Sequence, residues 1–554
     1  MRKVATIVLS PWIGGLASAY DPIVLGQSPD GQQKLQVADN LVYGLTGSRK
    51  KRGGQARLNT SASVMTDGTT ASTPVDGLWA IAYWYNNTIS TRTEELVVVA
   101  ESGRMFYNSG FGNTLTALTF SGVTPSFSHG QISGEIMNEL LFIGYSRTTA
   151  CLIYSGAAAV VKTATASVGT FPSGHIVRQH LNRLWIAGDN TAKDRIYYSA
   201  AEDARAFGTA GGFIDIYPGD GDPYGITAIF PSTNVRELYI AKRNSLYRLD
   251  TTDLDPANWA VIPVSRGIGC IAHNTVVSLD QADIIFCSDR GVHALQQIIR
   301  YAEILPGEYL SGDIQDQYQE ILSKQLMSAV WYPELNSYLL GCRREGSDIQ
   351  DTVFGYNVAT KGWFRWTNVP VNFLFKRLDS SVGKNLLYAC GDSSSSADSG
   401  YINELNQDNL WDFNSSTGNI SMTFKSVVLY PQGDILSEKN FTNLIFLIRS
   451  RDNSSFQYEY VIDAVIKGAG TLNQRVVGGN LLGSASSYVL GPLFILGSPS
   501  GIKPLYTHIA SVGAGIEVTL THDEIGDDLE VLGMGIEFVP AEESQNAYRA
   551  FPTA

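Results

Sequence analysis

Seven times between Leu78 and Leu405 the sequence returns to one pattern: a β-rich run, a polar turn, a short apolar strand, a second tight turn and a further strand. The clearest copies read EELVVVAESGRMFYNSG from Glu94, NELLFIGYSRTTACLIYSG from Asn138, NRLWIAGDNTAKDRIYYSA from Asn182, RELYIAKRNSLYRLD from Arg236 and QADIIFCSDRGVHALQQ from Gln281. Looser copies begin at Leu335 and Lys384. With Leu96, Leu141, Leu184, Leu238, Ile285, Tyr338 and Leu387 as equivalent anchors, the intervals are 45, 43, 54, 47, 53 and 49 residues. A period of ~40–50 residues, built from three or four short strands, is that of a propeller blade. The expected fold is all-β: a β-propeller of six or seven blades over 76–410, an N-terminal docking region over 1–75 and a β-sandwich-like domain over 411–554. A strand lent by the N-terminal region would complete one unit, which leaves the blade number open.

A chain of 554 residues exceeds what one hydrophobic core organises, and radial repetition supplies many small cores instead. The 54 glycines fit a fold with dozens of tight turns. After Trp411 the period is lost, and strands such as NISMTFKSVVLY, KNFTNLIFLIRS, SFQYEYVIDAVIKG, YVLGPLFILG, IKPLYTHIAS, AGIEVTLTHD and DLEVLGMGIEFVP read as a sandwich or small barrel, followed by a polar tail, AEESQNAYRAFPTA. Between the fifth and sixth units, SGDIQDQYQEILSKQ reads as a helix capped by Ser311, with Ile314, Tyr318, Ile321 and Leu322 on one face that packs on the propeller first, or serves a neighbouring molecule second. The start, MRKVATIVLSPWIGGLASAYDP, is signal-like in its basic and apolar order, but Pro11, Gly14 and Gly15 interrupt it. No other segment approaches the ~20 apolar residues of a membrane span.

The sequence offers no HExxH, GxSxG or P-loop motif. Its seven histidines are scattered, and His175 and His180, five apart on one strand, face opposite ways. Five isolated cysteines without CxxC spacing read as buried thiols rather than disulfides or zinc ligands. The loop YPGDGDPYG, with Asp220 and Asp222, reads as a turn in preference to a calcium loop, since it lacks EF-hand spacing. Asp189, Asp220, Asp283 and Asp289 sit in blade turns and form no legible glycosidase pair. No enzymatic activity, metal or cofactor is expected. The one charge run is Arg49, Lys50, Lys51 and Arg52, with Arg57 close by. It reads as a solvated face first, a partner-docking patch second and a phosphate-binding patch third. The net charge of −13 argues against a surface that grips nucleic acid throughout.

Read in order, the run DNLVYGLTGSRKKRGG resembles the N-terminal signature of tail nozzle proteins of short-tailed bacteriophages, the tail tubular protein B-like or stabilisation proteins. Arg52-Gly53-Gly54 departs from the family's Arg-Pro-Gly-like turn by lacking proline. The stretches IYPGDGDPYGITAIFPSTNVRELYIAKRNSLYRL, RGIGCIAHNTVVSLDQADIIFCSDRGVHAL, LSGDIQDQYQEI and KSVVLYPQGDILSEKNFTNLIFLI extend the similarity over most of the chain. The resemblance implies a structural virion protein. It would form a homohexameric ring in the tail, assembled in the host bacterial cytoplasm below the adaptor ring of the head-to-tail connector. Tail fibres or spikes would attach to the ring, which would retain the genome and let double-stranded DNA pass without sequence recognition. Arg49, Lys50, Lys51, Arg52 and Arg57 are then candidates for docking on the adaptor. The competing reading is a secreted β-propeller that binds or hydrolyses glycans.

Overall fold

The structure is a computed structural model. It describes residues 5–540 except for 475–502 and a set of shorter stretches, among them 10–13, 28–32, 45–47, 60–63, 69–72, 301–308, 394–397, 408–411 and 413–417. The strand expected at YVLGPLFILG and the tail after Pro540 lie outside the described residues.

All seven sequence anchors fall on the second strand of a blade and are buried to 1 % exposure or less. Four antiparallel strands make up the first blade (Gly77–Thr88, Thr91–Ala100, Arg104–Ser109, Thr116–Ala117), and the second spans Ser133–Met137 to Val161–Thr163, with Phe120–Ser121 added in parallel at its edge. The third runs from Ile176–His180 to Gly212–Asp215 and the fourth from Ile226–Pro231 to Ala260–Arg266. The fifth has three strands, Val277–Leu279, Asp283–Cys287 and Val292–Ala294, and the helix Leu295–Arg300 buries Leu295 and Ile298 where a fourth would lie. Ser328–Tyr332 to Gly362–Trp366 form the sixth. Each innermost strand touches the next around the circle, the step into the fifth blade being made by the turn His273–Thr275, and Phe373–Asp379 of the seventh blade meets Gly77–Thr88 of the first. The protein is thus an all-β propeller, with seven blades among the described residues.

The seventh blade takes its outer strand from far away. Phe373–Asp379, Lys384–Cys390 and Ile402–Gln407 are completed by Gly54–Arg57, antiparallel to the last of them. Tight hairpins set the inner registers. Met137 pairs with Leu140 around Asn138-Glu139, and His180 with Arg183 around Leu181-Asn182, all four turn residues at positive φ, as type I′ turns require.

The insertion after the fifth blade is shorter than the sequence implies. A 3₁₀ turn (Gly312–Ile314) leads into a helix that ends at Gln319, and Ile321–Leu322 form a strand against Ser337–Arg344. Ile314, Tyr318 and Ile321 are buried on the chain's own core, but Leu322 is exposed. Ser311 makes no side-chain cap; its hydroxyl accepts from Val292 N instead.

The C-terminal strands form two sheets. In one, Lys439–Arg449 lies between Lys503–Gly513 and Glu530–Pro540. In the other, Met422–Ser426, Ile516–His522, Ser454–Ile462 and Val465–Gln474 are neighbours in that order. Strict alternation of buried and half-exposed residues along Ile516–His522 marks one face turned inward. Phe446 and Phe456 meet across the interface, their ring centroids 5.5 Å apart in an edge-on pair.

The expected separate N-terminal region requires correction, because its strands are shared out over the rest of the chain. Ala5–Leu9 pairs with Glu530–Pro540, so the signal-like apolar run is a sheet strand. Lys34–Asp39 joins Met422–Ser426 of the sandwich to Gly362–Trp366 of the sixth blade. Arg49–Lys51 pairs with Leu41–Tyr43 and with Glu530 and Val531. One continuous sheet therefore runs from the sixth blade into the sandwich through an N-terminal strand. Gly15, at φ +68°, packs on this seam so closely that a Cβ would stand 2.5 Å from Gly362 Cα.

Candidate functional site: the cationic run and the propeller axis

The run of cations is internal. Arg49, Lys51 and Arg52 are 0, 0 and 2 % exposed, which overturns the expectation that these three form a solvated or docking patch. The physical reason is strand geometry: Arg49 and Lys51 lie two apart on one strand, on the face turned into the protein, while Lys50 points the other way. Burial pushes the Arg49 guanidinium down to about 9, and it stacks 5.6 Å from the Tyr43 ring centroid. Tyr43 is pushed up to about 12 by burial, and its hydroxyl donates to the Trp363 carbonyl at 3.0 Å.

Arg52 is the joint between propeller and sandwich. Its Nη1 and Nη2 donate to both oxygens of Asp412 at 3.0 and 2.8 Å, and its Nε donates to Asn40 Oδ1 at 3.0 Å. Asn40, at φ 53°, also accepts from Thr367 N and donates to the Ser421 carbonyl. Beside it, Arg365 makes a fork with both oxygens of Asp39 at 2.7 and 2.6 Å. Lys51 donates to the Glu524 carbonyl at 2.7 Å; burial pushes its pKa down to about 8, against the pull of Asp527, Asp523 and Asp528. The partner of this run is an acidic loop of the same chain, HDEIGDD at 522–528, which sequence reading passed over. Only Lys50, 3.4 Å from Asp528, and Arg57, bonded to Asp398 at 2.7 Å and stacked on Tyr401, reach solvent.

The propeller axis is filled. A cavity of about 250 Å³ is bounded by Trp79, Arg178, His273, Phe373 and Lys376 from four blades, far too small for a nucleic-acid duplex. Burial raises the Glu135 pKa and lowers that of Arg178, each opposed by the other's charge. His175 and His273, far apart in sequence, have ring centroids 5.7 Å apart, and each bonds a backbone carbonyl, of Gly188 and Ile132. Burial, with Arg147 beside His175 and with His175 and Arg178 beside His273, pushes them down to about 4 and about 3. Such rings take up protons in the unfolded chain first, so their stabilisation is complete above the unfolded value of 6.5 and is lost as pH falls toward 4. Between pH 6.5 and 4.5, urea unfolding should show wild type losing about 2 kcal/mol more than His273→Gln. Asp76, raised to about 7 by burial, works in the opposite sense but is common to both proteins and drops out of the difference.

The YPGDGDPYG loop is organised by a lysine. The buried Lys242 Nζ lies 2.7 Å from Asp194 and 2.8 Å from Asp220, in the place a cation would take, and Asp220 and Asp222 accept backbone N–H groups within the turn. Burial opposes the Lys242 charge, but the bonds to Asp194 and Asp220 outweigh it and raise its pKa. Lys242→Met should cost about 2 kcal/mol in urea unfolding, since it leaves two partly exposed carboxylates facing each other. The other turn aspartates are equally committed: Asp189 to Thr191 and Tyr197, Asp283 to Ile284 N and Gln296 N, Asp289 to Arg243. All five cysteines are buried free thiols.

No family model and no curated protein sequence matches the chain. Among solved structures it is similar to the extracellular domain of the hybrid two-component system BT4673 of B. thetaiotaomicron, at 13 % identity and a TM-score of 0.37, over 70 % of this chain and 43 % of that one. The chain therefore spans less than half the length of that structure. An exo-β-1,3-galactanase of Phanerochaete chrysosporium matches at 10 % identity and a TM-score of 0.25, over 88 % of this chain and 100 % of that one. Hsv2 of Kluyveromyces lactis matches at 9 % identity and a TM-score of 0.27, over 54 % and 98 %. No helix among the described residues is long and apolar enough to cross a membrane.

Proposed function

We propose that the chain is a wall subunit of the tail nozzle of a short-tailed bacteriophage, a structural virion protein with no catalytic step and no cofactor. Six copies form a ring below the adaptor, carry fibres or spikes, retain the packaged genome and conduct double-stranded DNA. The observation that carries this reading is the continuous sheet joining blade six to the sandwich, locked by Arg52–Asp412 and Arg365–Asp39. A wall under load needs its modules to move as one body, and wedge-shaped rigid subunits close a ring through heterologous contacts. The filled axis supports a passage between copies instead of through one. A net charge of −13 suits a lumen that must not hold phosphates, since each neutralised phosphate adds affinity. Asn40 and Arg52, at the two ends of the DNLVYGLTGSRKKRGG signature, bond each other. Of the run, Lys50 and Arg57 remain as adaptor-facing candidates.

One feature favours the glycan reading: an open cleft of about 850 Å³ on blade three, lined by Phe171, Tyr198 and Phe213 with Asp189. Mass spectrometry of purified virions separates the two. The nozzle reading expects the chain in the particle with its N-terminal peptide intact; a chain found only as a processed, secreted monomer that retains oligosaccharides overturns it.

A further inference from the structure

The acidic loop that meets the cationic run carries a constellation that stability alone does not explain. His522 ends the strand Ile516–His522 and is 0 % exposed, yet neither ring nitrogen has a hydrogen-bond partner. A buried imidazole without a partner forfeits a bond at each nitrogen, a cost of about 1–3 kcal/mol for each group so stranded. One ring nitrogen, a Glu524 carboxylate oxygen and an Asp527 carboxylate oxygen all lie within 4.8 Å of one another. Three ligands on one zinc ion stand about 3.4 Å apart at bond lengths of about 2.1 Å. The trio is therefore open by little more than 1 Å, which the half-buried Glu524 and Asp527 side chains can close.

We propose that His522, Glu524 and Asp527 form a binding site for a divalent transition-metal ion of the zinc class. The donor set, one imidazole with two carboxylates, selects that class over calcium and magnesium, whose sites are built from oxygen alone. The orphaned ring would gain the bond it lacks. The site has a built-in competitor: Lys51 Nζ donates to the Glu524 carbonyl and sits among Asp527, Asp523 and Asp528. Glu524 is held from behind by Ser455, whose backbone N–H donates to Oε2 at 3.0 Å and whose hydroxyl bonds Oε1, and this fixes the carboxylate for a ligand. The ion would pin Glu524 and Asp527 to the strand end and to the seam crossed by the N-terminal ribbon, the strands Lys34–Asp39, Leu41–Tyr43 and Arg49–Lys51.

The test is a competition titration of Zn²⁺ on the full-length chain against a chromophoric chelator, together with melting curves in Zn²⁺ and in EDTA. Wild type should take up one Zn²⁺ per chain. With metal at about 100 times its Kd, the melting temperature should rise by about 2 °C. The Glu524→Gln/Asp527→Asn pair, which alters only half-buried loop carboxylates, should bind at least about 30-fold more weakly and lose the shift. Lys51→Met, which removes the competing charge, should bind more tightly than wild type. Equal affinity of wild type and the double variant, no uptake by either wild type or Lys51→Met, or displacement of Zn²⁺ by an equal concentration of Ca²⁺ would each overturn the proposal.

Discussion

Asp412→Ala should destabilise the protein by about 3–5 kcal/mol, because it leaves the Arg52 guanidinium buried with its countercharge gone. Both partners are almost wholly inside, with side-chain exposures of 2 and 6 %, so solvent does little to screen the loss. The remaining bonds of Arg52, to Asn40 Oδ1 and to the Gly53 and Thr367 carbonyls, bring no countercharge. The Arg52→Met/Asp412→Leu pair should recover most of the loss, since replacing a buried pair by apolar groups of similar volume is often neutral. Urea unfolding of the two variants and wild type measures this directly. A loss below about 1 kcal/mol for Asp412→Ala would mean that the joint is wet and the seam loose.

Trp366→Ala should cost a similar amount, about 3–5 kcal/mol, by a different route. Trp366 is 1 % exposed at the end of the sixth blade, packs on Phe364, and its indole N–H donates to the Leu41 carbonyl at 2.9 Å. Truncation opens a cavity and strands that carbonyl where the N-terminal ribbon crosses from blade to sandwich. Beyond the global loss, the ribbon should become the first segment cut by a protease under native conditions, a local opening that reports on the seam itself. An equivalent truncation inside one blade, Trp185→Ala, should lower stability without exposing the ribbon, because Trp185 packs among Tyr198 and Trp259 of blades three and four.

The propeller was legible because its signal is repeated and local. Each anchor such as Leu184 or Leu238 sits in an apolar run bounded by turn residues, and burial between neighbouring blades needs that composition seven times over. The ending of the helix at Gln319 was not legible, because Ile321 and Leu322 fit a helical face as well as a strand. What decided it is the end of Ser337–Arg344 at Arg343 and Arg344, which runs past its pairing with Ser328–Tyr332 and is visible only in three dimensions. The fate of Arg49, Lys51 and Arg52 was hidden for the same reason. A run of four cations reads as solvated until its counterions are found, and Asp412 and the 523–528 loop lie more than 350 residues away in polar stretches without a motif. The sharing-out of the N-terminal strands was half visible: a lent blade strand was foreseen, whereas the pairing of Ala5–Leu9 with Glu530–Pro540 carried no local mark. The His175–His273 contact depends on two inner elements meeting at the axis, which no spacing encodes.

The central claim, that this rigid propeller and sandwich form one segment of a ring, is tested most directly by averaged electron micrographs of the native assembly. The account predicts a sixfold ring with an open lumen between subunits, the filled propeller axes lying in its wall. Isolated monomers under every condition, with no virion containing the chain, would contradict it.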